Sequence, residues 1–237
     1  MHGAGNDYIY VDAFTQVLPD DVSPWVAAMS HRHTGIGADG VILIEPSAIA
    51  EAKMRIWNAD GSPGEMCGNG LRCVAKYLYD RQMVADTEFQ IETDAGLKTV
   101  WVEARNQLAD RVRVSLGRPI LDPENIPTLL PGTPPLNSPL KVNGRQFWVS
   151  CLSMGNPHCI LMVDEPTDEW VQEMGPIFER HPAFPNRTNV EFMQVMSRER
   201  IRLRVWERGS GETQACGTGA AASVVASVLL NLTNRQV

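Results

Sequence analysis

The sequence predicts an α+β fold of two pseudo-symmetric lobes, each a mainly antiparallel sheet or barrel wrapped around one central helix. Alternating apolar segments predict the sheets, and one helical period in each half predicts the central helices. Three landmarks then recur in both halves, in the same order and at an offset of 149 or 150 residues. They pair Gly5-Asn6 with Gly155-Asn156, Asn58 with Glu207, and Cys67-Gly68-Asn69-Gly70 with Cys216-Gly217-Thr218-Gly219. Such agreement indicates an internal repeat.

The first half consists, in order, of strands separated by glycine-rich turns, with two helices among them. Ser23 as N-cap and Pro24 as first helical residue predict a short helix that ends near Ser30. From Cys67 or Gly68 onward, apolar residues recur every three or four positions, as on the buried face of a helix. Alternation predicts strands at Tyr8–Phe14, Val41–Ile44, Met54–Asn58, Phe89–Thr93, Leu97–Val102 and Val112–Leu116.

The second half repeats this plan after a proline-rich stretch. Residues 118–140 hold seven of the sixteen prolines, which favours an extended connection between a lobe at 1–117 and a lobe at 141–237. Predicted strands lie at Gln146–Met154, Cys159–Val163, Asn189–Val195 and Ile201–Trp206. Predicted helices lie at Glu169–Phe178, interrupted near Gly175-Pro176, and at Gly217–Leu230.

Composition excludes several classes of partner. The formal net charge of −7 disfavours sequence-independent binding to nucleic acid or to acidic membranes. The chain has no run of 18 apolar residues, and its N-terminus lacks the features of an export signal. Five cysteines form an odd set that does not fit a secreted disulfide scaffold. We therefore expect a cytoplasmic protein with reduced thiols and a small-molecule substrate; the oligomeric state stays open, with a homodimer as one candidate.

The two Cys-Gly-x-Gly motifs have a chemical meaning of their own. A cysteine at a helix N-terminus lies near unpaired backbone N–H groups and the positive end of the helix dipole, which favours the thiolate and lowers the thiol pKa. The same N–H groups bind carboxylates, and the glycines let a ligand approach the backbone closely. Cys67 and Cys216 therefore each combine a reactive sulfur with a site for an anion.

Two such units related by pseudo-twofold symmetry are expected to face one another across a cleft. That arrangement suits inversion at the α-carbon of an amino acid, in which one thiolate removes a proton and the opposite thiol returns one. No lysine lies in a recognisable pyridoxal phosphate motif, so we expect no cofactor. The cysteines show no C-x-x-C or C-x-x-H spacing, so we expect no metal.

At these motifs the sequence closely resembles the diaminopimelate epimerase family. Its members are cofactor-independent enzymes that interconvert the LL and meso forms of diaminopimelate in lysine and peptidoglycan biosynthesis. The resemblance covers nearly the whole chain, through residues 1–7, 35–40, 58–73, 153–158, 188–192 and 206–219. Several motifs in the family's order are far more specific than one pattern.

The resemblance implies roles for individual residues. Cys67 and Cys216 are the implied acid/base pair, and His158 and Glu207 match positions that support the proton chemistry of the thiols. Arg208 is suited to clasp the distal carboxylate of the substrate with two hydrogen bonds. The implied substrate contacts are Asn6, Asn58, Asn156, Asn189, Glu207, Arg208 and the backbones of Gly68, Asn69, Gly217 and Thr218.

The sequence departs from the family pattern in three places. Some members carry a substrate-contacting glutamine where this chain has Gly40, so that contact is expected to be absent or made by the backbone. The chain begins at the His-Gly-Ala-Gly-Asn motif and stops at Val237, soon after the second long helix. Family members continue at both ends into further strands, so we expect a truncated chain with an exposed sheet edge.

Four alternatives remain open from the residues. A proline racemase-like enzyme would keep both cysteines but would not need Asn189, Glu207 and Arg208 for a distal zwitterionic group. An isomerase of the phenazine-biosynthesis type would not rely on the cysteine pair. A non-catalytic protein could use the two helix starts to bind an anion, and a thiol redox protein would cycle Cys67 and Cys216 through a disulfide.

Overall fold

The structure, a computed structural model, describes residues 1–64 and 66–237. Glu65, part of the motif at 58–73, lies outside the described residues. The chain divides into two compact units, Met1–Gly117 and Arg118–Val237. The proline-rich residues 118–140 group with the second unit, where Ile120 bridges Ser153. Within the described residues, no helix has both the length and the apolar character needed to cross a membrane.

The first unit is an α+β unit whose strands pair mostly antiparallel. Its helices are α1 (Val22–Ser30) and α2 (Gly68–Asp80). Its strands are β1 (His2–Gly3), β2 (Asn6–Asp7), β3 (Ile9–Asp12), β4 (Gly40–Glu45), β5 (Ala52–Asn58), β6 (Pro63–Gly64), β7 (Glu88–Thr93), β8 (Gly96–Arg105) and β9 (Leu108–Val114). The main sheet has the order β3-β4-β5-β7-β8-β9, with β6 on β5, while β1 and β2 pair separately.

Strand β4 shows why this sheet holds a helix on each face. Its residues are apolar without interruption, and alternate side chains point to opposite faces. Ile42 and Ile44 belong to the core that includes Leu71 of α2, whereas Val41 and Leu43 pack with Val26 of α1. The two cores therefore fix α1 and α2 on opposite faces of one sheet.

The second unit contains the long helix α4 (Gly217–Leu229) and a shorter helical segment. That segment is a π-helix at Glu169–Met174 followed by α3 (Gly175–Glu179), and a 3₁₀ turn lies at Pro123–Asn125. The strands are β10 (Ser138–Val142), β11 (Arg145–Ser153), β12 (Pro157–Met162), β13 (Asn189–Ser197), β14 (Arg200–Glu207) and β15 (Gly211–Thr213), which pair in that order.

The strand pairing repeats between the units. In each unit a parallel pair, β3 with β4 or β12 with β13, is followed by an antiparallel partner, β5 or β14. A short strand then pairs with that partner, and the long helix begins. The register agrees as well, because Val41 opposes Trp57 just as Val190 opposes Trp206. The internal repeat predicted from the sequence is confirmed at the level of strand pairing.

Two of the differences from the sequence predictions have a clear physical reason. Helix α1 begins at Val22 with Asp21 as N-cap, so Ser23 and Pro24 lie inside its first turn. Proline is tolerated there because the first N–H groups of a helix have no partner within the helix. Strand β10 begins inside the proline-rich stretch and lies at the edge of the sheet, where it pairs with β11. Pro139 is tolerated there because an edge strand has one side without a ladder of hydrogen bonds.

Candidate active site

Cys67 is the N-cap residue of α2 in the first unit. Its backbone is extended, and its Sγ accepts a hydrogen bond from the Gly70 N–H at 3.3 Å. The thiol in turn donates to Oδ1 of Asn6 at 3.2 Å. A Cβ at Gly70 would lie 2.4 Å from Cδ1 of Ile42, so a larger residue here would require the Ile42 side chain to shift. The sulfur and the first backbone N–H groups of α2 are thus presented together.

Asn6 is oriented by a carboxylate that the sequence did not single out. Asn6 Nδ2 donates to Asp39 at 2.7 Å, which turns its Oδ1 toward Cys67. Arg32 bridges Asp39 and Asp7 at 2.8 and 2.7 Å. The hydrogen bond from Arg32 holds the pKa of Asp7 below its ordinary value. An exposed ion-pair cluster therefore supports the half-buried Asn6.

Asn58 ends β5 and opens the turn that leads to α2. Its side-chain Nδ2 donates to Ser62 Oγ at 3.0 Å, and its backbone N–H donates to the Ser62 carbonyl. Gly40 lies opposite Asn58 in the sheet. A Cβ at Gly40 would lie 2.0 Å from the Trp57 carbonyl oxygen, so this backbone leaves no room for the glutamine that some family members carry.

Cys216 is the N-cap residue of α4 and repeats the geometry of Cys67 in the second unit. Its Sγ accepts a hydrogen bond from the Gly219 N–H at 3.4 Å and lies 3.4 Å from Oγ1 of Thr218. Glu207, at the end of β14, accepts a hydrogen bond from the Thr213 hydroxyl. Both Cys216 and Glu207 are half-buried.

A histidine and two amides complete this cluster. His158 Nδ1 lies 2.7 Å from Oε1 of Glu191, and His158 Nε2 lies 2.9 Å from Oδ1 of Asn156. Asn189 is buried: its Nδ2 donates to the Pro157 carbonyl, while its Oδ1 accepts from the Arg208 N–H at 2.9 Å. Asn189 therefore fixes the backbone of Arg208 at the end of β14.

The electrostatics of Cys216 differ from the expectation for a cysteine at a helix start. Burial, and then the charges of Glu207 and Glu191, raise the pKa of Cys216 well above its ordinary value. The hydrogen bonds from Thr218 and Gly219 act in the opposite direction but are the smaller effects. Burial likewise raises the pKa of Glu207. The pKa of Cys216 is therefore shifted in the direction opposite to that expected from the helix N-terminus, because burial of the thiol and the charges of Glu207 and Glu191 outweigh it.

The structure gathers the predicted residues at two helix starts, one in each unit. At the first lie Asn6, Cys67, Gly68 and Asn69, with Asn58 at the turn before them. Around the second lie Asn156, His158, Asn189, Glu207, Arg208, Cys216, Gly217 and Thr218. Glu191 was missed by the sequence analysis. The signal for it was a single acidic residue inside the apolar strand Asn189–Met193.

Comparison with known proteins agrees with the resemblance. A family model described as diaminopimelate epimerase matches residues 1–121 and 150–237. A diaminopimelate epimerase from Moorella thermoacetica is 48% identical over all of this chain and 85% of its own length. One from Geobacillus sp. is 49% identical over 99% of this chain and 84% of its own length. Among solved structures, a probable proline racemase from Agrobacterium radiobacter with bound carbonate has a TM-score of 0.69 at 16% identity, covering 98% of this chain and 77% of its own.

Proposed function

Since this chain belongs to the diaminopimelate epimerase family, we propose that it interconverts LL- and meso-diaminopimelate with Cys67 and Cys216 as the acid/base pair. It is accordingly an isomerase, and the proposed chemistry uses no cofactor. One observation supports the cysteine pair above others: each repeated unit begins its long helix with a cysteine whose sulfur accepts a backbone hydrogen bond. The likeness to the racemase fold, at 16% identity, extends to the fold alone.

The proposed reaction inverts the α-carbon in two proton transfers. One sulfur, as thiolate, removes the α-proton, and the other, as thiol, delivers a proton to the opposite face. The negative charge that develops next to the α-carboxylate is stabilised by backbone N–H groups of Gly68, Asn69, Gly217 and Thr218 at the two helix starts. Within each unit, these donors belong to a helix start that the fold already forms.

The distal end of the substrate is a second zwitterion, and the proposed contacts match its charges. Arg208 binds the distal carboxylate with two hydrogen bonds. Asn189 supports that role because it holds the Arg208 backbone. Asn6, Asn58, Asn156 and Asn189 supply neutral hydrogen-bonding groups, and Glu207 accepts from an ammonium group.

Cys216 begins the proposed cycle as the acid. Its raised pKa keeps it protonated near neutral pH, so it can give a proton to the substrate without prior activation. When the reverse direction requires Cys216 as the base, its proton must pass to a neighbour. Glu207 is a carboxylate that hydrogen-bonds with the thiol, and His158 interacts with Glu207 in turn.

The test is deuterium incorporation at the α-carbon of LL-diaminopimelate in D₂O under reductant, with Cys67→Ser and Cys216→Ser beside the parent. We expect the parent to incorporate deuterium with inversion and each variant to lose inversion by a factor of roughly 10³. L-Proline serves as the control substrate. Turnover of L-proline but not of diaminopimelate would overturn the proposal in favour of a proline racemase-like enzyme. Unchanged inversion in either variant would show that Cys67 and Cys216 are not the acid/base pair.

The compartment and assembly form the remaining part of the proposal. All five cysteines are free in the structure, which supports a reducing compartment, and we place the protein in the cytoplasm. Its partner is a small-molecule substrate. We propose a homodimer as the state to test by light scattering at several protein concentrations, where a constant monomer mass would exclude it.

A further inference from the structure

Glu191 is a buried carboxylate that the proposed reaction leaves unused. It lies in β13 between Val190 and Phe192, and its exposed fraction is 0%. Oε1 is 2.7 Å from Nδ1 of His158, which is equally buried. Within the described part of the chain, its other oxygen, Oε2, has no hydrogen-bond partner. A buried carboxylate with one unpartnered oxygen is unfavourable for folding, so its presence calls for a reason other than packing.

The register of the sheet places Glu191 under the start of α4. Glu191 pairs with Ile160 of β12 and with Val205 of β14. Residues two apart on a strand share a face, so Glu191 shares one face with His158 and Glu207. A Cβ at Gly219 would lie 2.7 Å from Oε1 of Glu191. The carboxylate therefore occupies the space that the missing side chain at Gly219 leaves beside Cys216.

The first unit shows that the fold does not need this carboxylate. The register that pairs Val41 with Trp57 and Val190 with Trp206 makes Ile42 the counterpart of Glu191. Ile42 lies against Gly70 in the same way that Glu191 lies against Gly219. An aliphatic side chain thus fills the same place in one unit, and only the other unit carries a charge there.

We propose that Glu191 is a positioning residue for the proton chemistry of Cys216, holding Nδ1 of His158 protonated so that Nε2 is the nitrogen that exchanges protons. This inference rests on the proposed function. A ring nitrogen that donates to a buried carboxylate keeps its proton, which fixes the tautomer and the ring orientation. When Nε2 carries a proton it donates to Oδ1 of Asn156, a proposed substrate contact, because an amide oxygen can only accept a hydrogen bond.

The charge of Glu191 has a second effect, on the thiol itself. The titratable groups that interact around it are His158 on β12, Glu207 on β14, Cys216 at the start of α4, and Cys159 on β12. The negative charges of Glu207 and Glu191 both disfavour the thiolate of Cys216. Glu191 accordingly helps to keep Cys216 in the acid form while it orients the histidine.

The first experiment uses the parent protein, labelled with ¹⁵N-histidine and followed by NMR between about pH 5 and pH 9. His158 is assigned by comparison with His158→Asn. We expect Nδ1 to stay protonated across this range while any titration occurs at Nε2. Loss of the Nδ1 proton within the range would overturn the inference. Neither result depends on the identity of the substrate.

The second experiment removes the charge and keeps the shape, with Glu191→Gln in a Cys67→Ser background. Alkylation of Cys216 by iodoacetamide is measured against pH and located by peptide mass. Loss of a nearby negative charge should make alkylation about tenfold faster at neutral pH. Glu179→Gln is the matched control, because Glu179 is another buried carboxylate of this unit but bonds to Trp206 and Gly209. Equal alkylation profiles for Glu191→Gln and its background would count against the inference.

The third experiment joins the inference to turnover. In the protein with both cysteines, Glu191→Gln and Glu191→Ile should lower kcat for diaminopimelate about 10- to 100-fold while KM changes little. Glu191→Ile introduces the residue found at the equivalent position of the first unit, Ile42, so it provides a second variant if Glu191→Gln does not fold. A parent protein that does not epimerise diaminopimelate would overturn the proposed function. An active parent with unchanged kcat in both variants would overturn only the role of Glu191.

Discussion

The two units share strand pairing, register and a cysteine at the start of the long helix, yet they bury different chemistry beneath that helix. Beneath α2 lie Tyr8 and Ile42, both part of an apolar core. Their counterparts beneath α4 are His158 and Glu191, which form a buried hydrogen-bonded pair. The backbone of the repeat sets where each sulfur lies, and the side chains under it set how readily that sulfur holds its proton.

The comparison extends to the last residue of the strand that precedes each helix-start turn, β5 in the first unit and β14 in the second. Asn58 and Glu207 occupy equivalent positions, an amide in one unit and a carboxylate in the other. A carboxylate can take up a proton and an amide cannot. At this equivalent position the second unit therefore has a proton acceptor, whereas the first has an amide.

Glu207→Gln should have the largest effect on activity. It makes the second unit resemble the first and removes the group that receives the Cys216 proton. We expect kcat to fall by a factor of roughly 10² to 10⁴, measured as epimerisation of LL-diaminopimelate. Asn58→Gln, a change of side-chain length without a change of charge, is the matched control in the first unit, and an equal loss in both variants would contradict the comparison.

The same variant should change the pH dependence of stability. Because burial raises the pKa of Glu207 above its ordinary 4.5, the folded state binds its proton more tightly than the unfolded chain. The stability that this contributes is present below the unfolded pKa and is lost as pH rises through the higher folded value. Glu207→Gln should therefore raise the free energy of unfolding near neutral pH by on the order of 1 kcal/mol. Denaturant unfolding at acidic and neutral pH measures it; a gain at acidic pH alone would contradict the sign.

Alanine at the two helix-start glycines should separate packing from chemistry. Gly70→Ala forces a methyl group against Ile42, and Gly219→Ala forces one against the Glu191 carboxylate. Each should lower the free energy of unfolding by about 1–3 kcal/mol, the usual effect of overpacking. Gly219→Ala should also change the pH profile of Cys216 alkylation, whereas Gly70→Ala should leave it as it is. Similar profiles for both variants would mean that Glu191 and Ile42 act alike.

Asp39→Ala tests the support of the first cysteine. The change frees the Asn6 amide, whose Oδ1 accepts from the Cys67 thiol. We expect kcat to fall about tenfold with little change in the melting temperature, because misoriented groups lose rate without unfolding the protein. Full activity in Asp39→Ala would show that Asn6 holds its orientation without the carboxylate.

Arg32→Ala should have the smallest effect and serves as the control for Asp39→Ala. The Arg32 side chain is 55% exposed, and its two ion pairs are accessible to solvent. Such pairs contribute roughly 0–1 kcal/mol and weaken further with salt. Chemical denaturation at low and high salt measures the difference. A loss of activity as large as that of Asp39→Ala would mean that the arginine, and not the carboxylate, orients Asn6.

The sequence was sufficient for features that local pattern or internal repetition determines. The helical period after Cys67 and Cys216 predicts α2 and α4, whose observed starts are Gly68 and Gly217. Alternation predicts most strands to within a few residues. The family and its isomerase activity followed from several motifs in one order, because chance rarely supplies them together. The roles of individual site residues stay predictions.

What the sequence did not reveal depends on contacts between distant strands. Glu191 acts on His158 only because β12 and β13 pair in parallel, and no local pattern specifies that partner. Asp39 reaches Asn6 across 33 positions. The raised pKa of Cys216 reverses an expectation based on the helix N-terminus, because the local signal omits the burial of the thiol and the two carboxylates that the sheet places nearby.

The protonated state of Cys216 has a consequence for chemical vulnerability. Peroxide and most covalent inhibitors attack the thiolate, and a thiol reacts far more slowly. Burial and the two nearby carboxylates, which raise the pKa of Cys216, should therefore also slow sulfenic acid formation and attack by electrophilic drugs. A compound aimed at this sulfur would gain by carrying a cationic group that pairs with Glu207, because that charge would favour the reactive thiolate.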